Sequence, residues 1–131
     1  MSIPYKARLN ERVFLNYPGF HGGAYVLAYV EDTTGRDCEK QSWADRRVPP
    51  TPRTILEIAD CNYRINLEFD VTLALQRENS LHKVDTLLAT LREFREALHA
   101  EGLLHDEREH ELAERKRRKK EKRRALRVVR S

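Results

Sequence analysis

Residues 60–98 contain the side chains that could bind a negatively charged ligand. Arginine and lysine supply positive charge, and the rings of Tyr63 and Phe69 offer flat faces for a base. Backbone N–H groups at the start of a helix would add to the attraction of a phosphate or diphosphate. The polar candidates are Arg64, Asn66, Arg77, Asn79, Ser80, Lys83 and Asp85.

Each of these residues also has an ordinary structural interpretation. Asn79 or Ser80 could cap a helix, and Lys83 and Asp85 could lie on the surface of that helix. Phe69 falls in step with apolar residues that alternate along a predicted strand, so its ring could belong to the core. Residue types alone therefore favour the structural interpretation over a nucleotide site.

The sequence contains no recognisable catalytic centre. The five histidines are scattered and form no metal-binding motif, and no P-loop, GxGxxG or HExxH pattern occurs. Cys38 and Cys61 lie far apart with no CxxC near them, which is typical of reduced thiols in an intracellular protein. We therefore expect no enzyme, no bound metal and no cofactor.

Four short stretches rich in β-branched and aromatic residues predict strands. The last is the clearest, because Tyr63, Ile65, Leu67 and Phe69 alternate with polar residues and so share one face. This alternation predicts a core side and a polar side for the sheet. The predicted strands are residues 12–17, 24–30, 54–59 and 63–70.

Apolar residues recur every three or four positions after residue 80, which predicts one long amphipathic helix. We expect Asn79 or Ser80 to cap its start and Gly102 to interrupt it. The predicted fold is α+β: a small antiparallel sheet, this helix across one face of the sheet, and a basic helical C-terminal extension. The apolar stripe of the helix consists of Leu81, Val84, Leu87, Leu88, Leu91, Phe94 and Leu98.

The width of this stripe predicts self-association. One small sheet cannot cover it, so we expect a homo-oligomer, either a dimer or a hexamer, in which a second copy completes the core. Residues 1–101 are predicted to form the domain that binds the ligand and oligomerises, and residues 102–131 a charged helical or disordered tail. The apolar runs are too short to span a membrane and no apolar leader follows Met1, so we expect a cytoplasmic protein.

Positive charge is concentrated near the end of the sequence. Residues 115–130 contain eleven Lys or Arg and one acid, Glu121, whereas the residues before them contain fourteen basic and twenty acidic residues. Such a segment could bind nucleic acid through phosphate contacts, although residues 103–131 include no aromatic side chain to stack on a base. It could equally be the solvated extension of a structural oligomer.

Three stretches of the sequence resemble a known protein family. They are Asp60-Cys61-Asn62-Tyr63-Arg64, Leu67-Glu68-Phe69-Asp70 and Glu78-Asn79-Ser80-Leu81-His82-Lys83-Val84-Asp85-Thr86-Leu87, with Phe94 downstream. The family is the first type of phage Thoeris anti-defence protein, and the likeness extends over roughly residues 10–100. Its members are sponges, which bind the cyclic ADP-ribose isomers made by bacterial TIR-domain immune sensors and hold them without cleaving them.

The resemblance implies an oligomer that acts in the cytoplasm of an infected bacterium. It also implies that Phe69 stacks on the adenine of the ligand and that Asn79 hydrogen-bonds to it. To these we add Arg64 and Lys83 as diphosphate contacts, because of their charge and proximity. Further candidates for the same site are Tyr63, Arg77 and Asp85.

A second, helix-lined site for cyclic oligonucleotides is also implied by the resemblance. The candidate residues for this second site are Arg92, Arg95 and His99. His82 departs from the family pattern, which has a larger aromatic residue there, and the segment from residue 102 has no counterpart in the family.

Overall fold

The computed structural model describes residues 6–40 and 47–130, and it shows strands followed by one long helix. This arrangement confirms the predicted α+β fold class. The helix α1 spans Ala74–Arg130. The strands are β1 (Lys6–Phe14), β2 (Tyr25–Asp32), β3 (Glu39–Lys40), β4 (Arg47–Val48), β5 (Thr54–Asp60) and β6 (Tyr63–Leu67).

Four of the strands form one antiparallel sheet in the order β1-β2-β5-β6. β1 begins six residues before the predicted start, because its polar first half has no alternation and is a strand only through pairing with β2. β3 and β4 form a separate pair of two residues each, which the sequence pattern does not predict. The predicted antiparallel pair joined at residues 60–62 is confirmed as β5 and β6.

The register gives the sheet two chemically different faces, since paired residues point to the same side and neighbours along a strand alternate. One side, the apolar face, carries mostly aliphatic residues, namely Leu9, Val13, Val26, Ala28, Val30, Leu56, Ile58, Ile65 and Leu67, together with Glu11 and Thr54. The opposite side, the polar face, is mixed and carries Asn10, Arg12, Phe14, Tyr25, Leu27, Tyr29, Ile55, Glu57, Ala59, Arg64 and Asn66. The predicted alternation is therefore confirmed from Tyr63 to Leu67, but β6 ends there, so the predicted extension of the strand through Phe69 to residue 70 is wrong.

The single chain covers little of its apolar surface. Among residues 6–40 and 47–130, only Ala24, Tyr25, Glu31, Ala59 and Ser80 are buried. On the apolar face, Val13 is 53% exposed and Ile65 is 59% exposed. The apolar face is thus distinct from the polar face in composition but is not the interior of a core within one chain.

Two predictions about the helix boundaries are wrong. α1 begins at Ala74, where the N–H of Arg77 donates to the Leu73 carbonyl at 2.9 Å, so Asn79 and Ser80 lie in its second turn and do not cap it. α1 also continues through Gly102 without interruption. One interior glycine costs a helix only about 1 kcal/mol relative to alanine, which the strong helix formers around it offset.

The predicted stripe on α1 is not covered in the single chain. All of its members are exposed except Leu87, which is half-buried. The chain divides into two compact units at Lys83 and Val84. In the described part of the chain, no helix has the apolar length that a bilayer span requires.

Candidate functional site

Phe69 lies just after β6 and its ring is half-buried. The hydroxyl of Thr54, the first residue of β5, donates to the Phe69 carbonyl at 2.9 Å. This bond holds the residues after β6 next to the start of β5, beyond the last paired residues, Leu56 and Leu67. The backbone of Phe69 is therefore fixed by the sheet, which orients a ring that is neither fully exposed nor fully packed.

Lys83 comes from the third turn of α1 and meets the same ring. Its Nζ atom lies 5.2 Å from the centroid of Phe69, within the range of a cation–π interaction. Nζ also donates to the Glu68 carbonyl at 2.7 Å. An ammonium group has three N–H donors, and this carbonyl accepts one of them. Two predicted site residues are thus brought together.

The start of α1 is held against residues 68–72 by polar contacts. The buried hydroxyl of Ser80 donates to the Asp70 carbonyl at 2.7 Å. The Asp70 carboxylate accepts the N–H of Thr72 at 2.8 Å and its hydroxyl at 2.6 Å. The Thr72 hydroxyl, followed by the Thr72 N–H, holds the pKa of Asp70 below its ordinary value. Ser80, predicted as a cap, instead positions the loop that carries Phe69.

An open cavity of about 300 Å³ lies beside Phe69. Carboxylates, hydroxyls and apolar groups all line it, so its chemistry suits a ligand with a flat apolar part and several hydroxyl groups. Carboxylate oxygens only accept hydrogen bonds, and they fit hydroxyl donors better than they fit phosphates. The lining residues are Thr51, Pro52, Thr54, Glu68, Phe69, Asp70, Val71 and Thr72.

Arg77 and Asn79 lie on different sides of the helix start. The Arg77 guanidinium donates to the carbonyls of Val71 and Thr72 at 3.2 and 3.3 Å, so it contacts the loop that lines the cavity. Asn79 is exposed, and it precedes Lys83 by four residues, which places both on the same side of α1. Asn79 is thus available to a ligand that reaches Lys83.

Tyr63 and Arg64 lie at the other end of β6 from Phe69. Tyr63 is 79% exposed and shares the side of Ile65 and Leu67. Arg64 lies on the polar face, in the row of Tyr25 and Ala59. These two residues are therefore not gathered with Phe69 and Lys83 in the single chain.

Arg64 belongs instead to a charged cluster around Tyr25. The Arg12 guanidinium lies 4.1 Å from the centre of the Tyr25 ring, and the Tyr25 hydroxyl donates to Glu57 at 2.6 Å. The hydrogen bond to the Glu57 carboxylate raises the pKa of Tyr25. These contacts are a structural explanation for the charges on the polar face.

The remaining predicted residues lie farther along α1. Asp85 is exposed. Arg92, Arg95 and His99 are also exposed, and their spacing of three and four places them on one side of the helix. One helix alone offers a ridge there, so a groove for a second ligand would need another helix beside it.

Sequence reasoning missed a second cavity on the polar face, of about 580 Å³. The Arg53 guanidinium lies 5.9 Å from the centre of the Tyr29 ring, which combines a positive charge with an aromatic face. Pairing of Val30 with Thr54 brings Arg53 close to this part of β2, and only knowledge of that register could have predicted it. The cavity is lined by Tyr29, Glu31, Arg36, Thr51 and Arg53.

Glu31 is the buried charged group of this second cavity. One carboxylate oxygen accepts the Arg36 guanidinium at 2.6 Å, and the other accepts the N–H of Arg53 at 2.8 Å. The Glu31 N–H in turn donates to the Arg53 carbonyl at 2.9 Å. Both carboxylate oxygens of Glu31 are therefore hydrogen-bonded, and the residue anchors the backbone that carries Arg53.

Gln76 is a further residue that the sequence did not single out. Its side-chain oxygen is buried and accepts a hydrogen bond from no described residue. Gln76 lies four residues before Ser80 and seven before Lys83, so the three share one side of α1. A buried acceptor without a partner is uncommon in proteins, and it suits a ligand donor or a water molecule.

A thiol and an imidazole also meet at the other end of the sheet. The Sγ atom of Cys61 lies 3.8 Å from Nδ1 of His21, which accepts the N–H of Gly23 at 3.0 Å. Cys61 has a φ of 53°, in the left-handed region. A Cβ atom on Gly23 would come within 2.4 Å of the His21 ring, so a side chain at position 23 would displace that ring. Across residues 6–40 and 47–130, no group of three potential metal ligands occurs.

The chain matches no family model, no curated protein and no solved structure. The fold and the arrangement of Phe69, Lys83 and Ser80 therefore carry the functional argument.

Proposed function

We propose that this protein is a sponge that sequesters a cyclic ADP-ribose-type immune signal without degrading it, and that it acts for a phage in the cytoplasm of its bacterial host. The single observation that carries the proposal is the contact of Lys83 with the ring of Phe69, a residue that lines a cavity of about 300 Å³. A half-buried ring with a cation on one side suits an adenine on its other side. Sequestration needs affinity alone, so it requires no catalytic group.

The polar groups around the cavity suit the rest of such a ligand. Ribose hydroxyls can donate to the carboxylates of Glu68 and Asp70, and the Lys83 ammonium can donate to phosphate oxygens. Asn79, on the same side of α1 as Lys83, supplies an amide, as the resemblance implies. Gln76 offers its buried oxygen to an amino or hydroxyl donor of the ligand.

Arg53 replaces Arg64 as the preferred arginine for the diphosphate. Arg64 lies on the polar face in the row of Tyr25, at the end of β6 remote from Phe69. Thr51 lines both cavities, so a ligand whose base lies on Phe69 can extend past Thr51 to Arg53. Thr51 and Arg53 are two positions apart, within the reach of one nucleotide diphosphate.

Two uncovered apolar surfaces support the homo-oligomer that belongs to this proposal. The first is the apolar face of the sheet, and the second is the stripe on α1. Soluble monomers rarely expose contiguous apolar surface of such extent. Copies of this chain can bury both surfaces, and a neighbouring helix would complete a groove at Arg92, Arg95 and His99 for a second nucleotide.

The test is calorimetric titration of the purified protein with cyclic ADP-ribose isomers. Phe69→Ala should cost about 1–3 kcal/mol of binding free energy through lost stacking. Asn79→Asp should weaken binding because it places a carboxylate near an anion, and Asn62→Asp, in the turn between β5 and β6, is the matched control. Arg53→Gln should weaken binding more than Arg64→Gln.

Two further measurements make this test decisive. Nucleotide recovered by heating the complex should have an unchanged mass, because a sponge does not cleave it. Circular dichroism and light scattering of each variant should match the parent, which separates lost contacts from lost folding. Binding of Phe69→Ala and Asn79→Asp as tight as that of the parent would exclude this site.

Nucleic-acid binding through residues 115–130 is the second candidate function. These residues continue α1 as helix, and all of their basic side chains are exposed. Contacts of lysine and arginine with phosphates release counterions, so retention of DNA or RNA should fall steeply with salt. Truncation after Gly102 should remove that retention while leaving ligand binding by the preceding residues intact. Retention that survives the truncation would exclude the basic segment as its cause.

A further inference from the structure

The second half of α1 carries two segments of opposite charge. The acidic segment, residues 101–114, has six carboxylates and one arginine, a net charge of −5. The basic segment, residues 115–130, has eleven Lys or Arg and one glutamate, a net charge of +10. Both belong to one uninterrupted helix, and the charge changes sign between Glu114 and Arg115.

The basic segment is unfavourable as an isolated helix. Like charges three or four residues apart repel each other along a helix, and sixteen residues span only about 24 Å. Within the acidic segment, His105 and His110 contact Glu109 and Glu114 at 3.3 and 3.5 Å, which are pairs inside the same segment. Every side chain from residue 101 to residue 130 is exposed except Glu114, which is half-buried. A partner that places negative charge beside the basic segment would relieve this repulsion.

The charges are arranged symmetrically about the point between Glu114 and Arg115. Six of the fourteen pairs of positions at equal distances from that point within residues 101–128 have opposite charges, and in the other eight at least one residue is neutral. The two residues of the minority sign also match: Arg108, the base in the acidic segment, is as far from that point as Glu121, the acid in the basic segment. Over residues 101–128, no two such positions carry like formal charges. The opposite pairs are Glu114 with Arg115, Glu111 with Arg118, Glu109 with Lys120, Arg108 with Glu121, Glu107 with Lys122 and Asp106 with Arg123.

This symmetry selects one orientation for two helices. A parallel pair would place the basic segment of one copy beside the basic segment of the other, which is repulsive. An antiparallel pair with a two-fold axis between Glu114 and Arg115 places acidic beside basic at both ends. In that arrangement Leu103, 52% exposed, comes level with Leu126, 59% exposed, so that apolar residues also lie opposite each other.

We infer that residues 101–130 pair antiparallel with the same segment of a second copy of this chain. The pairing sets which copies meet and in which orientation, because charge complementarity contributes more to specificity than to affinity. It does not depend on nucleotide binding. It uses the same basic side chains that nucleic acid would use, so the two occupants exclude each other.

The antiparallel orientation of the two helices can be tested in the full chain by asking which introduced cysteines form disulfides between copies. Leu103→Cys and Leu126→Cys are introduced together into a protein whose own cysteines are changed by Cys38→Ser and Cys61→Ser. The two new thiols of one chain are 23 residues apart on a helix, about 35 Å, so they cannot join each other. After nuclease treatment and mild oxidation, peptide mass spectrometry should find disulfides between positions 103 and 126 at least tenfold over those between like positions.

A charge reversal and its rescue test the cause of the pairing. Glu107→Lys, Glu109→Lys and Glu111→Lys together should reduce the disulfide yield at least tenfold. Adding Arg118→Glu, Lys120→Glu and Lys122→Glu should restore it, since the opposite pairs are re-formed with the net charge of the parent. Predominant links between like positions would overturn the inference. So would an unrestored yield in the rescued variant, or a yield in the parent that nucleic acid increases.

Discussion

The strand region and the helix after residue 83 differ in what holds each of them in place. In the strand region, side chains reach across long sequence distances, as Glu31 does to Arg53 and Thr54 does to Phe69. From Val84 to Arg130, no described residue is buried, and the ion pairs of the helix link residues four apart. The first region is therefore held by contacts between distant parts of the sequence, whereas the second is held by contacts between neighbours along one helix.

The largest expected effect is the loss of self-association when the apolar stripe on α1 is changed. Leu91 is at the centre of the stripe and is 57% exposed in the single chain. If Leu91 is buried between copies of the chain, Leu91→Lys removes about 1.5–3 kcal/mol of favourable association free energy per copy. It also places a charge in the apolar contact. We expect self-association to weaken more than about 100-fold, measured by sedimentation equilibrium.

Ala89→Lys is the matched control, because it adds the same charge on the opposite side of α1. Asp85 and Glu93, four residues to either side of it, favour a lysine there. The control should keep the association of the parent. Equal association of the Leu91→Lys variant and the parent would show that the stripe is not an interface.

The next largest effect is a loss of folding stability when the buried carboxylate of Glu31 is changed. The Glu31 side chain is 4% exposed and both of its oxygens accept hydrogen bonds. Glu31→Gln turns one of these oxygens into an N–H donor that faces another donor, which should cost about 1.5–3 kcal/mol of unfolding free energy. Urea denaturation measures this loss.

Glu39→Gln is the control, because Glu39 meets the same arginine. Its carboxylate lies 3.8 Å from the Arg36 guanidinium and is 63% exposed. Exposed ion pairs contribute less than about 1 kcal/mol, so this variant should unfold close to the parent. A Glu39→Gln variant as unstable as Glu31→Gln would assign the effect to Arg36 rather than to the buried carboxylate.

The parts of the fold that could be predicted from the sequence are those with a period. The alternation from Tyr63 to Leu67 and the helical repeat from Leu81 to Leu98 each reappear in the structure. The first half of β1 has no such pattern and is a strand through its partner. The early helix start was predictable in principle, since Ala74, Leu75 and Gln76 are strong helix formers. Because Asn79 and Ser80 are good capping residues, the helix was predicted to start later than it does.

The site was predictable only where its residues are close to a strand end or a helix start. Phe69 and Lys83 meet because β6 leads directly into the start of α1, a proximity that sequence order reveals. Arg53 and Tyr29 lie near each other through the register of β2 and β5, which residue types alone do not specify. Arg64 lies on the other face of the sheet from Ile65 and Leu67, because neighbours along a strand point to opposite faces. The inclusion of Arg64 in the ligand site stays a prediction that the Arg64→Gln titration addresses.

The smallest expected effect concerns the loop that carries Phe69. Asp70 accepts both the N–H and the hydroxyl of Thr72, and these bonds lower its pKa. The folded state therefore favours the carboxylate, so its contribution to stability is complete above the unfolded pKa of about 4 and is lost as the pH falls through the folded pKa. Asp70→Asn removes this contribution at every pH.

Comparison of the melting temperatures of parent and variant from pH 7 to pH 2 tests that sign. At pH 7 the Asp70→Asn variant should melt slightly lower than the parent, by less than Glu31→Gln does, because Asp70 is exposed. Below about pH 4 the difference should shrink, since the parent then loses the same contribution by protonation. Asp32 titrates in the same direction, because hydrogen bonds from Thr34 lower its pKa too, but it does so equally in both proteins and cancels in the difference.

Asp37→Asn, in the exposed loop before β3, controls for the removal of one charge. A difference that stays constant down to pH 2 would show that the loop before α1 does not depend on the charged form of Asp70, and that its hydrogen bonds with Thr54, Arg77, Ser80 and Lys83 hold it instead.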